Sequence, residues 1–300
     1  MIPIATRHVD HAQELQVHSA DGTRLHVEVR GPADGPTVVL SHCWSTSLAS
    51  WGPVVRRLDE NLRVVLYDQR GHGRSQTPLT RAGYGTGKLA DDLCAVLEAT
   101  VPEGEKVLVA GHSMGGMTIM ASAPRAVFRD RVAAVLLTNT GCTDLARRST
   151  AIPLPGPLGT LGSRIFLTAP LPLGPANPVS ARIFKYLVMG GGADKATRRL
   201  CARLVHDCGG VPRGEWGRVL TTLDLDDSVR RITAPTIVVG GAEDKLTPLW
   251  HARHIGDLVQ NLEEVREIPG LGHMGPLEAP EVLAELVDKL VVAHVAPRSA

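Results

Sequence analysis

The sequence predicts an α/β fold with a mainly parallel sheet, and three observations carry that expectation. Short, uniformly apolar runs of strand length recur along the chain. Segments with apolar residues at helical spacing lie between them. Turn residues are plentiful, with 31 Gly and 21 Pro among 300 residues. Strands covered by helices on both faces read as continuous apolar runs. Their alternation with helices is the signature of a layered α/β domain.

The elements follow in order. Glu14 to Val17 and Arg24 to Val29 alternate apolar and polar residues around Ala20-Asp21-Gly22-Thr23. Asp-Gly between such runs is a hairpin signal, so an antiparallel edge is expected here. Thr37-Val-Val-Leu-Ser41 is the first buried strand, followed by a helical stretch from Leu48 to Asp59 and a second strand, Leu62 to Tyr67. Lys88 to Thr100 places Leu89, Leu93, Val96 and Leu97 on one helix face. The strand Lys106 to Ala110, the helix Met114 to Ala123 and the strand Val132 to Leu137 come next. The closing set is the strand Thr236 to Gly240, the helix Pro248 to Val259, the more polar edge strand Glu264 to Ile268 and the helix Glu278 to Val292. Eight strands in one mostly parallel sheet are the expectation.

One region breaks the alternation. From about residue 141 to about 231 no apolar strand run occurs. It is Pro/Gly/Leu-rich at Ile152-Pro-Leu-Pro-Gly-Pro-Leu-Gly and again at Ala169-Pro-Leu-Pro-Leu-Gly-Pro, which suggests an irregular lid. Helix-like segments then run Ser180 to Met189, Asp194 to His206 and Trp216 to Leu223. About 90 residues are too many for a plain loop. The expected organisation is a core of residues 1–140 and 232–300 carrying a mostly helical insertion at 141–231.

Composition narrows the function. Lys plus Arg is 32 and Asp plus Glu 31, a net charge of +1, which gives no sign of a nucleic-acid surface. Ten aromatic residues (Phe 3, Trp 4, Tyr 3) are too few for a stacking platform. No apolar run approaches a membrane helix of roughly 18 residues, and the apolar Phe166, Leu167 and Leu171 are better explained as packing or pocket lining than as a membrane contact. Five cysteines without C-x-x-C spacing argue against a disulfide framework or zinc knuckle. With no basic and apolar leader at Met1, a reduced cytoplasmic protein is expected. Oligomeric state is not written in the sequence.

The sharpest chemical signal is Gly111-His112-Ser113-Met114-Gly115-Gly116, set between an apolar strand and a helix. G-x-S-x-G in that setting is a nucleophile elbow: the serine sits on a tight turn, and both glycines remove side chains that would clash. A serine needs a base, and the base an orienting acid. Asp244, with Glu243 as its neighbour and alternative, follows one later strand, and His273 follows the next. Other signals fail. Gly85-Thr86-Gly87-Lys88 lacks the first P-loop glycine, since position 82 is Ala82, and Gly71-His72-Gly73 misses the third dinucleotide glycine. The segment Tyr67 to Gly73 reads as a fixed loop. Asp91 and Asp92 read as complementing the start of a helix. His251 and His254 are three apart on a helix with no third ligand, so a solvated face is expected. No cofactor and no metal is called for.

Leu40-Ser41-His42-Cys43-Trp44, Tyr67 to Ser75, Gly111 to Gly116, Gly241-Ala242-Glu243-Asp244 and Gly272-His273-Met274 together resemble the α/β-hydrolase superfamily, in its capped esterase and perhydrolase-like group. The resemblance covers nearly the whole chain outside the insertion. It implies the α/β-hydrolase fold, with a helical cap between strands 6 and 7. It implies Ser113 as nucleophile, Asp244 as acid and His273 as base, with the backbone N–H groups of Met114 and Trp44 as oxyanion hole. His42, Cys43, Phe166 and Met274 are the expected pocket lining. Relatives with an aspartate at the elbow are excluded by Ser113. One departure stands out: Cys43 occupies the position of the family's usual glycine, and its Cβ bears on the turn that aims the Trp44 N–H.

The expectation is a serine hydrolase for a small to medium apolar ester, lactone or thioester. Alternatives are a perhydrolase or cofactor-free haloperoxidase, a biosynthetic thioesterase or C–C hydrolase, and, outside enzymes, a small-molecule receptor.

Overall fold

A computed structural model describes residues 12–169 and 178–295. Its strands are β1 (Gln13–His18), β2 (Arg24–Arg30), β3 (Thr37–Ser41), β4 (Arg63–Tyr67), β5 (Val107–His112), β6 (Val132–Thr138), β7 (Thr236–Gly241) and β8 (Leu262–Ile268). They form one eight-stranded sheet in the order β1-β2-β4-β3-β5-β6-β7-β8. Only β2 runs against the rest: β1 pairs antiparallel with β2, and β2 with β4, while every other pair is parallel. The Asp-Gly turn works because Gly22 takes φ +80°, a left-handed conformation costly for other residues.

The main helices are α1 (Thr86–Thr100), α2 (Met114–Ser122), α3 (Gly156–Thr168), α4 (Pro178–Val188), α5 (Lys195–His206), α6 (Gly210–Thr221), α7 (Leu249–Leu258) and α8 (Pro280–His294). Alternate strand residues serve opposite faces. Val39, Val65, Val109 and Val135 pack against Leu93 and Leu97 of α1, Met117 and Met120 of α2 and Ile255 of α7. Their neighbours Leu40, Val64, Leu108 and Leu136 pack against Trp51, Val54 and the Leu283, Val287 and Leu290 stripe of α8. The result is a sheet between two helical layers. The β8 edge is more exposed than the central strands, as its polar sequence requires.

Several expectations are corrected. The stretch Leu48 to Asp59 is only a 3-10 turn, Leu48–Trp51, and a single helical turn, Gly52–Val55; Gly52-Pro53 interrupts it and Arg57 N–H closes on Val54 O at 2.7 Å. A helix at Ala126–Arg131 is too short to have shown a period. The Pro/Gly-rich start of the insertion is not all irregular, because α3 begins within it. Pro157 lies in its first turn, where a missing N–H costs nothing. The same logic lets α6 begin at Gly210 despite Pro212, well before Trp216. Leu171 and the rest of the second Pro/Leu stretch, from residue 170, lie outside the described residues.

The insertion has no separate strand core among the described residues, where the one bridge is Thr143 with Asp224. It packs into the main body instead. Trp216 and Leu220 of α6 join the core beneath α1 and α2, while Phe184, Val188, Leu204 and Val205 of α4 and α5 cluster with Cys43, Met274 and Leu277. Trp216 is fully buried and its indole N–H donates to Arg70 O at 3.0 Å. No helix among the described residues is long and apolar enough to cross a membrane.

Two electrostatic expectations also change. Asp92 does not begin a helix: α1 starts at Thr86, and Asp92 lies buried in its second turn. It takes Arg70 bidentately, at 2.7 Å from Nε and 2.5 Å from Nη2, while Asp21 of the hairpin takes Nη1 at 2.9 Å. His251 is turned into the core rather than solvated, and His254 is partly buried against Asp226. Breaking a buried pair from one side strands the other charge, so Asp92→Ala is expected to lower the unfolding free energy by about 3–5 kcal/mol. Glu14→Gln, which removes the exposed partner of Arg74, should leave the midpoint nearly unchanged. Urea melts of the two variants check this; equal shifts would show the Arg70 cluster to be solvated.

Candidate active site

Ser113 joins β5 to α2 with φ +53° and ψ −112°. A non-glycine residue held there stores on the order of 1–3 kcal/mol of strain. Its surroundings hold it: Ser113 N–H donates to Thr138 O at 3.0 Å, and Ser113 O accepts from Thr140 Oγ1 at 2.7 Å and Met117 N–H at 3.0 Å. The flanking glycines are required by space. A Cβ at Gly115 would stand 2.1 Å from Ser41 O, and one at Gly111 2.5 Å from the Gly115 backbone.

Loops after β7 and β8 bring two more groups to the serine. His273 Nε2 lies 3.0 Å from Ser113 Oγ, and its Nδ1 lies 2.9 Å from Asp244 Oδ2. Asp244 is buried and well supplied with donors. Oδ1 accepts from the N–H groups of Leu246 and Thr247, both at 2.9 Å, and Oδ2 from Thr247 Oγ1 at 2.7 Å and Asn139 Nδ2 at 3.1 Å. Burial opposes ionisation, yet the facing imidazole and these donors outweigh it and hold the carboxyl below the usual carboxylate range. Glu243 points elsewhere, to Gly191 N–H at 2.6 Å. The geometry thus separates the two acids that the sequence left adjacent.

The loop carrying His273 is itself fastened. His273 N–H donates to Val188 O of α4 at 2.9 Å. Glu278 accepts from the N–H groups of Met274 at 2.9 Å, Gly272 at 3.3 Å and Gly190 at 2.7 Å. His112 Nε2–H donates to His273 O at 2.7 Å.

Cys43 to Thr46 form a tight turn after β3, with Thr46 N–H on Cys43 O at 3.4 Å and Ser45 at φ +62°. Cys43 itself is outside the left-handed region, and its buried thiol meets Thr46 Oγ1 at 3.2 Å. A side chain therefore fits where glycine was expected. Two imidazoles brace the turn. His42 Nδ1–H donates to Cys43 O at 2.7 Å while its Nε2 accepts Gln69 N–H at 2.9 Å. His72 Nε2 accepts Ser45 N–H at 3.1 Å. Trp44 lies in the turn, its indole N–H on Arg213 O at 3.0 Å and its ring edge-on to Phe166. Met114 is the first residue of α2, where helix geometry leaves the N–H without an intrahelical acceptor.

Ser113 and His273 open into a cavity of about 300 Å³ between the sheet ends and the insertion. Its wall is mainly apolar: Cys43, Trp44, Met117, Phe166, Leu167, Phe184, Val188 and Met274 all contribute, with Arg213 as a charged member. His42 does not line it, since it is fully buried behind the turn it braces. Sequence reasoning missed Asn139, Thr247, Glu278 and Arg213. They are single polar residues without motif spacing, and Asn139 alone carries a backbone oddity, φ +47°.

Residues 38–286 match the family model described as alpha/beta hydrolase family. The chain belongs to the alpha/beta hydrolase family. It is 30% identical over 256 residues to a putative carbamate hydrolase, RutD, of Variovorax paradoxus, covering 83% of this chain and 89% of that one. It is 23% identical to 3-oxoadipate enol-lactonase 1 of Acinetobacter baylyi, covering 92% and 96%. Among solved structures, an esterase from Exiguobacterium antarcticum superposes with a TM-score of 0.77 at 21% identity, covering 93% and 99%; that likeness is one of fold. Within this alpha/beta hydrolase, the motif-bearing loops are the ones that meet at Ser113.

Burial keeps several imidazoles uncharged: it pushes His42 and His251 down to about 4, and His72 and His112 to about 3, from an ordinary 6.5. An unfolded chain takes up these protons below pH 6.5, and the folded chain does so only near 4 to 3. Stability is therefore full above about pH 6.5 and declines as pH falls through that window, by up to about 1.4 kcal/mol per pH unit for each histidine. Urea midpoints measured from pH 7.5 to 4.5 should hold down to about pH 6.5 and fall below it; a flat profile would contradict the burial of these rings.

Proposed function

We propose that the chain is a serine hydrolase that cleaves a carboxylic ester or lactone of a small to medium apolar substrate through an acyl-enzyme on Ser113. The observation that carries this reading is the line Ser113 Oγ, His273, Asp244, hydrogen-bonded at 3.0 and 2.9 Å and opening into an apolar cavity. Asp244 accepts the Nδ1–H of His273, which leaves Nε2 as the basic nitrogen facing the serine. Nε2 takes the hydroxyl proton as Oγ attacks the substrate carbonyl. Asp244 steadies the imidazolium that forms. The Met114 and Trp44 N–H groups receive the developing oxyanion, a role that fits a helix start and a tight turn beside the serine. Nε2 then protonates the leaving oxygen and activates the water that frees the acyl group.

In this reading residues 141–231 act as the cap. Its helices α3, α4 and α6 contribute Phe166, Leu167, Phe184 and Arg213 to the wall, so substrate choice resides largely there. A cavity of about 300 Å³ is at the small end of ligand sites and favours compact acyl groups. The names of the relatives, a carbamate hydrolase and an enol-lactonase, point to carbonyl cleavage as well.

A p-nitrophenyl ester series from acetate to decanoate tests the proposal. Turnover is expected to be best for short chains and to drop steeply for the longest. Ser113→Ala should reduce kcat by about 10⁴-fold or more and abolish fluorophosphonate labelling. A wild-type chain that neither hydrolyses any member nor takes the label would end the proposal. Asp244→Asn, which presents the wrong tautomer of His273 to the serine, should cost roughly 10⁴-fold in kcat at nearly unchanged KM; a KM effect alone would reassign Asp244 to substrate binding.

A further inference from the structure

At the base of the inserted segment, well separated in sequence from the serine motif, three side chains from different stretches meet. Cys142 follows β6, Asp226 opens the one-turn helix Asp226–Val229, and His254 lies on α7. Cys142 Sγ is 3.2 Å from Asp226 Oδ1, and His254 Nε2 is 3.2 Å from Oδ1 and 3.1 Å from Oδ2. One donor atom from each residue lies within 4.8 Å of the others. The sequence offers His251 and His254 as a pair without a third ligand. The fold withdraws His251 into the core and supplies Cys142 and Asp226 in its place.

We propose that Cys142, Asp226 and His254 bind a zinc-like divalent cation. Thiolate, carboxylate and imidazole are the donors such an ion prefers. Ordinary zinc bonds of about 2.3 Å to sulfur and 2.0–2.2 Å to nitrogen and oxygen give tetrahedral edges of roughly 3.4–3.6 Å. The separations to Asp226 need to open by only a few tenths of an ångström, and the Cys142 and His254 donors already lie within 4.8 Å of each other. Cys142 is buried, whereas Asp226 and His254 remain partly exposed, so an ion can enter from solvent and keep a water as fourth ligand. The His254 ring is steadied by parallel stacking on Trp250 at 4.7 Å, with Arg148 over the indole. The thiolate and carboxylate balance the two charges of the ion. The Cys142 proton, now donated to Asp226, leaves to solvent on binding.

The position gives the ion its role. Leu225 N–H donates to Cys142 O at 2.8 Å, and Thr143 pairs with Asp224 in an antiparallel bridge. The chain entering the insertion and the chain leaving it therefore run side by side, and the cation ties this stem to α7. It takes part in no step at Ser113, so the inference stands apart from the proposed reaction.

Titration of the chelator-stripped full chain with cobalt(II) and zinc(II) tests the site. One equivalent of cobalt is expected to bind with a thiolate charge-transfer absorption, which Cys142→Ser abolishes. Zinc is expected to raise the Tm of the wild type by a few degrees and to leave that of His254→Ala unmoved. The absence of the charge-transfer band in the wild type overturns the proposal, as does equal binding by both variants. Should Cys142→Ser fail to fold, the wild-type cobalt spectrum and His254→Ala decide it.

Discussion

Everything near Ser113 depends on a contact between two stretches of bare backbone. The carbonyl of Ser41, at the end of β3, occupies the space a Cβ at position 115 would need, and the backbone of residue 115 fills the corresponding space at position 111. With both positions glycine, α2 can begin directly at the C-terminal end of the central strand β5. That approach forces Ser113 into its left-handed turn and sets its hydroxyl beside the Cys43 to Thr46 turn. Strand order does the remainder: β7 and β8 lie on the far side of β6 and deliver Asp244 and His273 in sequence.

Around this contact the buried imidazoles act as uncharged donors and acceptors, while the Arg70 cluster carries charge. His42, His72 and His112 are buried and held in defined tautomers by backbone partners. Arg70 works differently. It binds Asp92 of α1 and Asp21 of the hairpin through its guanidinium, and Trp216 of α6 through its carbonyl. One loop residue thereby joins the antiparallel edge, a helical layer and the insertion. The sequence predicts a loop fixed in place there, and the arginine supplies the bonds that hold it.

What was legible in the sequence is what has a period or a spacing. The central strands are apolar on both faces and end within a residue or two of their expected limits. The serine turn, the two later loops and the opening hairpin each carry a short motif whose geometry leaves few alternatives. What was not legible is pairwise. Asp92 looks like any acid near a helix start until Arg70 reaches it from another loop. His251 and His254 share a helix face by spacing, yet one faces the core and the other Asp226. Asn139, Thr247 and Glu278 matter through what they touch, and single polar residues leave no pattern. In the insertion, proline and glycine predict irregular chain, although at a helix start they are as much at home as in a loop.

The fastening of the His273 loop has a practical meaning for anyone exchanging parts between relatives. Val188 O takes the His273 N–H, Glu278 gathers the N–H groups of Gly190 and Gly272, and a Cβ on either glycine would collide with the other loop. The insertion is thus not a detachable module seated on a finished core. A chimera that swaps residues 141–231 alone would bring in a foreign stretch at 188–190 against the native 270–278 loop. The joint would then fall inside the site itself, so a workable graft has to carry both segments together.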